Sequence, residues 1–393
     1  MVIDKHSIRK QNRSVIIEQI ISNQPISRVE LSKLTNINKA TVSEIIKELL
    51  DNELIEEVGV GNSTSAGGRK PTMLQMNYKA GLCVAIDLGA TYIAVSLFYI
   101  NGIRIYLNIH RELEINSQNA VSHIENVIHE VESIKADSIY GITGITIAVH
   151  GITLNNKIIF SSQYDLDKID LKKEISERFK YPIYIENEAN LTALAENTFS
   201  STHKNLVCLS IHTGIGVGII NNGDLYTGMN GMAGEIGHTI LFPDGKPCRC
   251  GNHGCLELYC SESSILEQYE EITGITNATP DILQKAYYEG EKAAATLSTQ
   301  MSKYLAIAIN NIVVSYSPDV VYINSPIIFR IPEMINQIQD FMQSFFSRNI
   351  IIKNSSFGSK AILHGACANV IKNFLQVKHL KFCSKNEEKT EDI

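Results

Sequence analysis

The 393-residue chain has no uninterrupted apolar stretch long enough to cross a bilayer. Its longest apolar run, Leu206 to Ile220, is broken by His212, Thr213 and three glycines. No apolar core with a small-residue cleavage site follows the first lysines and arginines, so no secretory leader is expected. An excess of basic charge is also missing. The 35 Lys+Arg face 42 Asp+Glu, a net charge of −7, which argues against a protein that coats nucleic acid. No period of 20–50 residues recurs, which excludes a solenoid. The eight cysteines do not form a disulfide framework; several stand at metal-ligand spacing, which fits a reducing compartment. These absences leave a cytoplasmic globular chain with no membrane partner, long enough for two or three domains.

The charge that is present is unevenly placed. Residues 1–80 carry a balance of +2 and the remainder −9, so a mildly basic module precedes an acidic body. The first module reads as helices. Ile8 to Ile21 places Val15, Ile16, Ile17, Ile20 and Ile21 on one face, and Asn23-Gln24-Pro25 stops it. Ser27 with Glu30 has capping-box spacing for a short second helix. After Thr35-Asn36-Ile37, Asn38 caps a third helix over 39–52, with Val42, Ile45, Ile46, Leu49 and Leu50 inward. Two short helices across a three-residue turn describe a helix-turn-helix. Weakly alternating 54–60 and 73–76 then pair around a glycine-rich tip carrying Arg69 and Lys70, as in a DNA-binding wing. Lys39, Thr41, Ser43 and Lys47 are the expected recognition surface, with Arg69 entering a minor groove and Lys70 at the backbone. An ordinary three-helix surface bundle is the competing reading.

The run Cys248-Arg-Cys250-Gly-Asn-His-Gly-Cys255-Leu-Glu257, with His238 upstream, offers three thiols and an imidazole within eighteen residues. Thiolate and imidazole nitrogen are the ligands zinc prefers, and four of them close a structural site. His238, Cys248, Cys250 and Cys255 are the expected set. His253 competes with them, but it lies inside the turn, where it is expected to face water. Three unrelated buried cysteines are the alternative. Glu235 and Glu257 place carboxylates beside the loop.

From Gly81 the texture alternates between strand and helix, which argues for α/β lobes. Asp87-Leu88-Gly89-Ala90-Thr91 follows one buried strand, and His212-Thr213-Gly214-Ile215-Gly216 bridges two more. Either glycine-rich turn can cradle a phosphate with backbone N–H groups; plain β-hairpin turns are the competing reading. Their pairing suggests two related lobes facing a cleft. The expected architecture is an N-terminal winged helix-turn-helix followed by a two-lobed α/β body of the actin-like, ribonuclease-H-like sugar-kinase fold. Residues 1–78 are assigned to the DNA-binding module with its wing and linker. The first lobe takes 79–200 with 359–380, and 201–358 forms the second lobe with the zinc loop and dimerisation helices.

In Asp87–Thr91, Glu186-Asn187-Glu188-Ala189-Asn190, the loop 213–218, Gly234-Glu235-Ile236-Gly237-His238-Thr239 and Cys248–Glu257, the chain resembles the ROK family of repressors, open reading frames and kinases. The likeness spans nearly the whole chain. Gly67-Gly68-Arg69-Lys70-Pro71 resembles its repressor branch, of the xylose-repressor type. The resemblance implies a monosaccharide effector in the interlobe cleft, contacted by Asn187, Glu188, Glu235, His238 and Glu257. It also implies a structural zinc, a homodimer or dimer of dimers, and a pseudo-palindromic operator. The chain departs from the family's kinases at two places. Those kinases carry a catalytic Asp where this chain has Glu188, and paired glycines where it has Asn324-Ser325-Pro326. Tyr92 is also bulky beside a phosphate. No catalysis and no nucleotide are therefore expected, and Asp87, Gly89, Thr91, Thr213, Gly214 and Gly216 would be vestigial phosphate loops. A sugar kinase with a DNA-binding appendage is the alternative.

Overall fold

The computed structural model describes residues 5–61, 70–161 and 164–382. Helix α1 (Lys5–Asn23) leads through strand β1 (Ile26–Ser27) into α2 (Arg28–Thr35) and α3 (Lys39–Asp51). The caps are those the sequence announces. The Ser27 hydroxyl accepts the Glu30 N–H while the Glu30 carboxylate accepts the Ser27 N–H at 3.0 Å, and the Asn38 amide oxygen accepts the Thr41 N–H at 2.9 Å. Strands β2 (Ile55–Val60) and β3 (Thr72–Met76) make the wing, and β1 adds a third strand in the order β1-β3-β2. The Gly61 N–H donates to the Pro71 carbonyl and closes the wing's base. Arg69 lies outside the described residues. Ile16, Ile20, Leu31, Ile45, Ile46, Leu49 and Leu74 are buried and hold the helices against the wing.

Two five-stranded sheets follow. The first comprises β4 (Leu82–Leu88), β5 (Ile93–Tyr99), β6 (Arg104–His110), β7 (Ile142–Val149) and β10 (Ile183–Asn187). Helix α4 (Ala120–Glu132) connects β6 to β7. A separate hairpin, β8 (Ile152–Leu154) and β9 (Lys157–Phe160), and helix α5 (Leu171–Arg178) lie between β7 and β10. Helix α6 (Glu188–Ala195) then leads to the second sheet: β11 (Leu206–Ile211), β12 (Ile215–Asn221), β13 (Asp224–Leu225), β14 (Val320–Asn324) and β15 (Ile351–Asn354). The orders β6-β5-β4-β7-β10 and β13-β12-β11-β14-β15 match strand for strand. In each, the central strand has an antiparallel pair on one side and a parallel pair on the other. Strands β4, β11 and β14 are buried along their whole length, as central strands covered on both faces must be.

Helices α7 (Glu257–Cys260), α8 (Glu262–Thr273), α9 (Pro280–Tyr288) and α10 (Lys292–Tyr316) lie between β13 and β14, and α11 (Pro326–Arg330) and α12 (Glu333–Phe341) between β14 and β15. The sequence suggests a helix over 332–347, but α12 ends at Phe341. Beyond it the Ser344 hydroxyl takes the Phe346 N–H, and Ser347 donates to the Asn310 side chain, so local side-chain bonds replace the helical ladder. The last helix, α13 (Ala361–Leu375), returns to the first sheet and packs on β4 and β7. It also crosses α6 closely: a side chain on Gly365 would collide with the Leu191 carbonyl.

Residues 375–382 leave α13 as a strap that binds the head to the body. The Leu375 carbonyl accepts from Arg13, Ser14 and Glu18 accept the Lys378 N–H, and Ser22 donates to the Lys381 carbonyl. All four partners lie on α1.

Candidate functional site

Helix α6 begins in the cleft between the lobes. Asn187 is its N-cap: the amide oxygen accepts the N–H groups of Ala189 (2.9 Å) and Asn190 (3.1 Å), and its NH2 donates to the Gly151 carbonyl (2.8 Å). Its side chain thus orders the helix start. Glu188 is buried, and its carboxylate accepts the hydroxyl of Ser210 on β11 at 2.6 Å, which joins the start of α6 to the second sheet. Glu186 accepts from Thr153 and Asn190 and steadies the same corner.

The segment carrying Glu235 and His238 runs along β12. Any side chain on Gly234 or Gly237 would strike the carbonyls of Val217 or Ile215, so the two glycines let the backbone lie flat there. Glu235 is pushed up to about 7, first by burial and then by the charges of Glu188 and Glu257. The carboxylates of Glu188 and Glu257 lie beside Gly216 and Gly214 at the β11–β12 turn, which places all three acids in one neighbourhood. His238 stands among them, with Nε2 4.0 Å from Glu235 and Nδ1 3.4 Å from Glu257.

The Nδ1 side of His238, which meets Glu257, also meets the cysteines, and Cys248 Sγ lies 3.5 Å from the Glu257 carboxylate. Ligand atoms of His238, Cys248, Cys250 and Cys255 all lie within 4.8 Å of one another. Cys248 Sγ is 3.6 Å from His238 Nδ1, and Cys250 Sγ is 3.6 Å from Cys255 Sγ. A tetrahedral zinc with Zn–S near 2.3 Å requires ligand edges of about 3.8 Å, so the donor set fits. These four residues would hold the ion, with Nδ1 as the histidine donor and Nε2 left toward Glu235. A bound zinc would lock the loop and the imidazole's orientation. His253, the competing histidine, is exposed and outside the cluster.

On the first lobe the cleft is lined by a network whose Asp87 and Tyr92 the sequence had singled out, but whose pairing with His150 and Tyr164 it did not show. Asp87, at the end of β4, faces His150 Nε2 at 3.1 Å and accepts the Tyr92 hydroxyl at 2.9 Å. The Tyr164 hydroxyl accepts the His150 N–H and donates to the Leu88 carbonyl. Burial opposes charging His150, but the hydrogen bond and charge of Asp87, with the charge of Glu188, outweigh it and raise the pKa above its usual value. Buried His212 goes the other way: burial lowers it, although Glu188 pulls upward. The one signal in the sequence is that His150, like Asp87, ends a buried strand.

Both glycine-rich turns are tips of antiparallel hairpins, β4–β5 and β11–β12. Thr91 and Thr213 are exposed at these tips, and Gly214 faces Glu257. The Tyr92 ring packs against Gly89 so closely that a side chain there would strike it. Asn324 and Ser325 are buried; the Ser325 hydroxyl accepts the Ile328 N–H and starts α11.

At the other end of the molecule, α3 exposes Lys39, Ser43, Glu44 and Lys47, with Thr41 half-buried. Arg9 on α1 pairs with Glu44 and Glu48 at 2.8 Å, and Arg13 reaches Glu48 at 3.5 Å. Two of the three acids of α3, Glu44 and Glu48, are thereby paired, and the third, Asp51, is exposed at the end of the helix. Lys70 is exposed at the wing.

Residues 83–373 match the ROK family, and residues 10–56 match winged helix-turn-helix DNA-binding domains. The chain is 36% identical over 384 residues to the xylose repressor of Bacillus spizizenii and 35% identical to that of Bacillus subtilis; each alignment covers 96% of this chain and 99% of the relative. A solved ROK family transcriptional regulator, a homolog of the E. coli MLC protein, superposes with a TM-score of 0.80 at 26% identity, covering 94% of this chain and 96% of that one. A ROK family glucokinase from Streptomyces griseus, solved with glucose and AMPPNP, has a TM-score of 0.64 at 21% identity, covering 73% of this chain and 98% of that one.

Proposed function

Because the chain belongs to the ROK family and carries a DNA-binding head on a two-lobed body, we propose that it is a sugar-responsive transcriptional repressor whose effector sits between the lobes. The observation that carries this reading is the convergence of Glu188, Glu235, His238 and Glu257 in the cleft of a chain whose α3 turns Lys39, Ser43 and Lys47 outward. A sugar presents hydroxyls that both donate and accept; clustered carboxylates and an imidazole answer them. The relatives' names make xylose the first effector to try. Asn187 then acts mainly by holding the start of α6. Zinc at His238, Cys248, Cys250 and Cys255 braces the second-lobe wall and does no chemistry of its own. The repressor works in the cytoplasm as a homodimer on a pseudo-palindromic operator. Sugar switches it by binding one lobe arrangement more tightly than the other.

A non-enzymatic role follows from three features. Glu188 is longer by one methylene than the catalytic Asp of the family's kinases, and misplacement of about 1 Å can cost roughly 10²-fold. The first phosphate turn is filled by Tyr92, whose hydroxyl is engaged by Asp87. Asn324 and Ser325 fill the place of the glycine pair. The test is fluorescence anisotropy on a duplex selected from a random pool. Xylose should change operator affinity at least about tenfold. Unchanged affinity with xylose and the common pentoses and hexoses overturns the effector reading. ATP turnover at about 1–100 s⁻¹, lost in Glu188→Gln, overturns the non-enzymatic one.

A further inference from the structure

Residues 379–382 of the strap border an open hollow of about 540 Å³, within the size range of small-molecule sites. Four parts of the chain meet there: Ser22 from α1, Ser200 and Lys204 after α6, Gly223 from the β12–β13 turn, and Lys381 from the strap. The hollow is separate from the sugar cleft. Glu188, which marks the cleft, opens α6, and Ser200 closes the π-helical turn over 196–200 that follows it, so the two stand at opposite ends of a helical run and more than about 10 Å apart.

Its charges are unbalanced. Lys381 donates one hydrogen bond, to the His203 carbonyl at 3.0 Å, and Lys204 is close enough for its charge to weigh on Lys381. Burial first, and Lys204 second, push the Lys381 pKa below its usual value. Among the described residues no carboxylate pairs with either lysine. The nearby acids are engaged elsewhere. Asp224 is held by Lys378 at 3.2 Å and His379 at 3.6 Å, and Glu196 accepts from Ser355 and Ser356. Two lysines, with Ser201 and Thr202, thus border one cavity, while the hydroxyls of Ser22 and Ser200 already donate to the Lys381 carbonyl and to Glu196.

We propose that this cavity is a second small-molecule site, distinct from the sugar cleft, and that it takes a phosphate group. Ammonium groups and hydroxyls suit a dianion with three acceptor oxygens. The occupant touches the DNA-binding head, the end of α6, the second lobe and the strap together, so it ties the head to the body.

The test is calorimetry on the full chain in chloride buffer at low ionic strength, with inorganic phosphate and glycerol 3-phosphate as probes. Lys39→Gln/Lys47→Gln serves as background, so that the DNA-reading face contributes no anion site. Saturable binding at one phosphate per chain is expected, weakened at least about tenfold by Lys204→Gln and by Lys381→Gln, with xylose binding unchanged. Tighter binding of glycerol 3-phosphate assigns the site to phosphorylated metabolites; equal binding assigns it to free phosphate. No saturable binding, or binding that both lysine variants leave intact, overturns the proposal. Sugar binding is read separately in the same samples, so either result stands apart from the effector reading.

Discussion

Cys250 is exposed, whereas Cys248 and Cys255 are buried. It can therefore be replaced with little loss of packing, which makes it the cleanest probe of the metal loop. Cys250→Ser should lower zinc affinity by more than the roughly 100-fold that altering an outer-shell partner costs. Metal analysis of the purified variant should find well below one zinc per chain, and its urea midpoint should fall. Full zinc content would refute the ligand set. This cluster was legible because its members lie close in sequence and thiols at such spacing have few other uses. The Asp87–His150 pair was not. Its partners are 63 positions apart on neighbouring strands, and only the parallel register of β4 with β7 brings them together.

At the scale of elements, α13 carries two sensitive residues. Gly365 lets its backbone rest against the Leu191 carbonyl of α6. Gly365→Ala must push two helices apart, and should cost about 3 kcal/mol in urea unfolding. One position earlier, His364 lies among the rings of Phe98, Phe199 and Phe357, and its Nδ1–H donates to the Lys360 carbonyl at 2.8 Å. Burial pushes its pKa down to about 4. The unfolded chain takes up this proton near pH 6.5, before the native state does, so stability falls as pH drops from about 6.5 to 4. His364→Gln should flatten that part of the melting-temperature profile; an unchanged slope would remove His364 as its source. The local signals for elements were reliable where a cap announced them, at Ser27 and Asn38. They failed beyond Phe341, where an apolar pattern continues but serine side chains take over the backbone bonds.

At the scale of the whole molecule, the matching strand orders of the two sheets were beyond the reach of the sequence. The paired glycine-rich turns announced two related lobes but not the strand order within them, and the first sheet is covered by a helix that starts more than 170 residues after its last strand. The head's electrostatics follow from long-range pairing too. With Arg9 and Arg13 turned to Glu44 and Glu48, the outward positive charge on α3 rests on Lys39 and Lys47. Lys39→Ala/Lys47→Ala should weaken operator binding. It should also reduce the slope of log affinity against log salt by about 0.9 for each DNA phosphate that is no longer neutralised. Weaker binding at an unchanged slope would mean that these lysines touch bases or nothing, rather than phosphates.

The strap and α13 also set an order of assembly. The head precedes the body in the chain, and its helices bury residues against one another, within an apolar cluster that α6 and α13 later join. The first sheet, by contrast, lacks its α13 cover until residues 361–375 have been made, and α1 lacks its clasp until 376–382 follow. Pairings that span more than 350 residues form slowly, because the loop they close is long. During synthesis the head therefore emerges before the elements that clasp it. Its clasp to the body forms only once residues 376–382 have been made, so the contacts that fix the head against the body are among the last that the described residues complete.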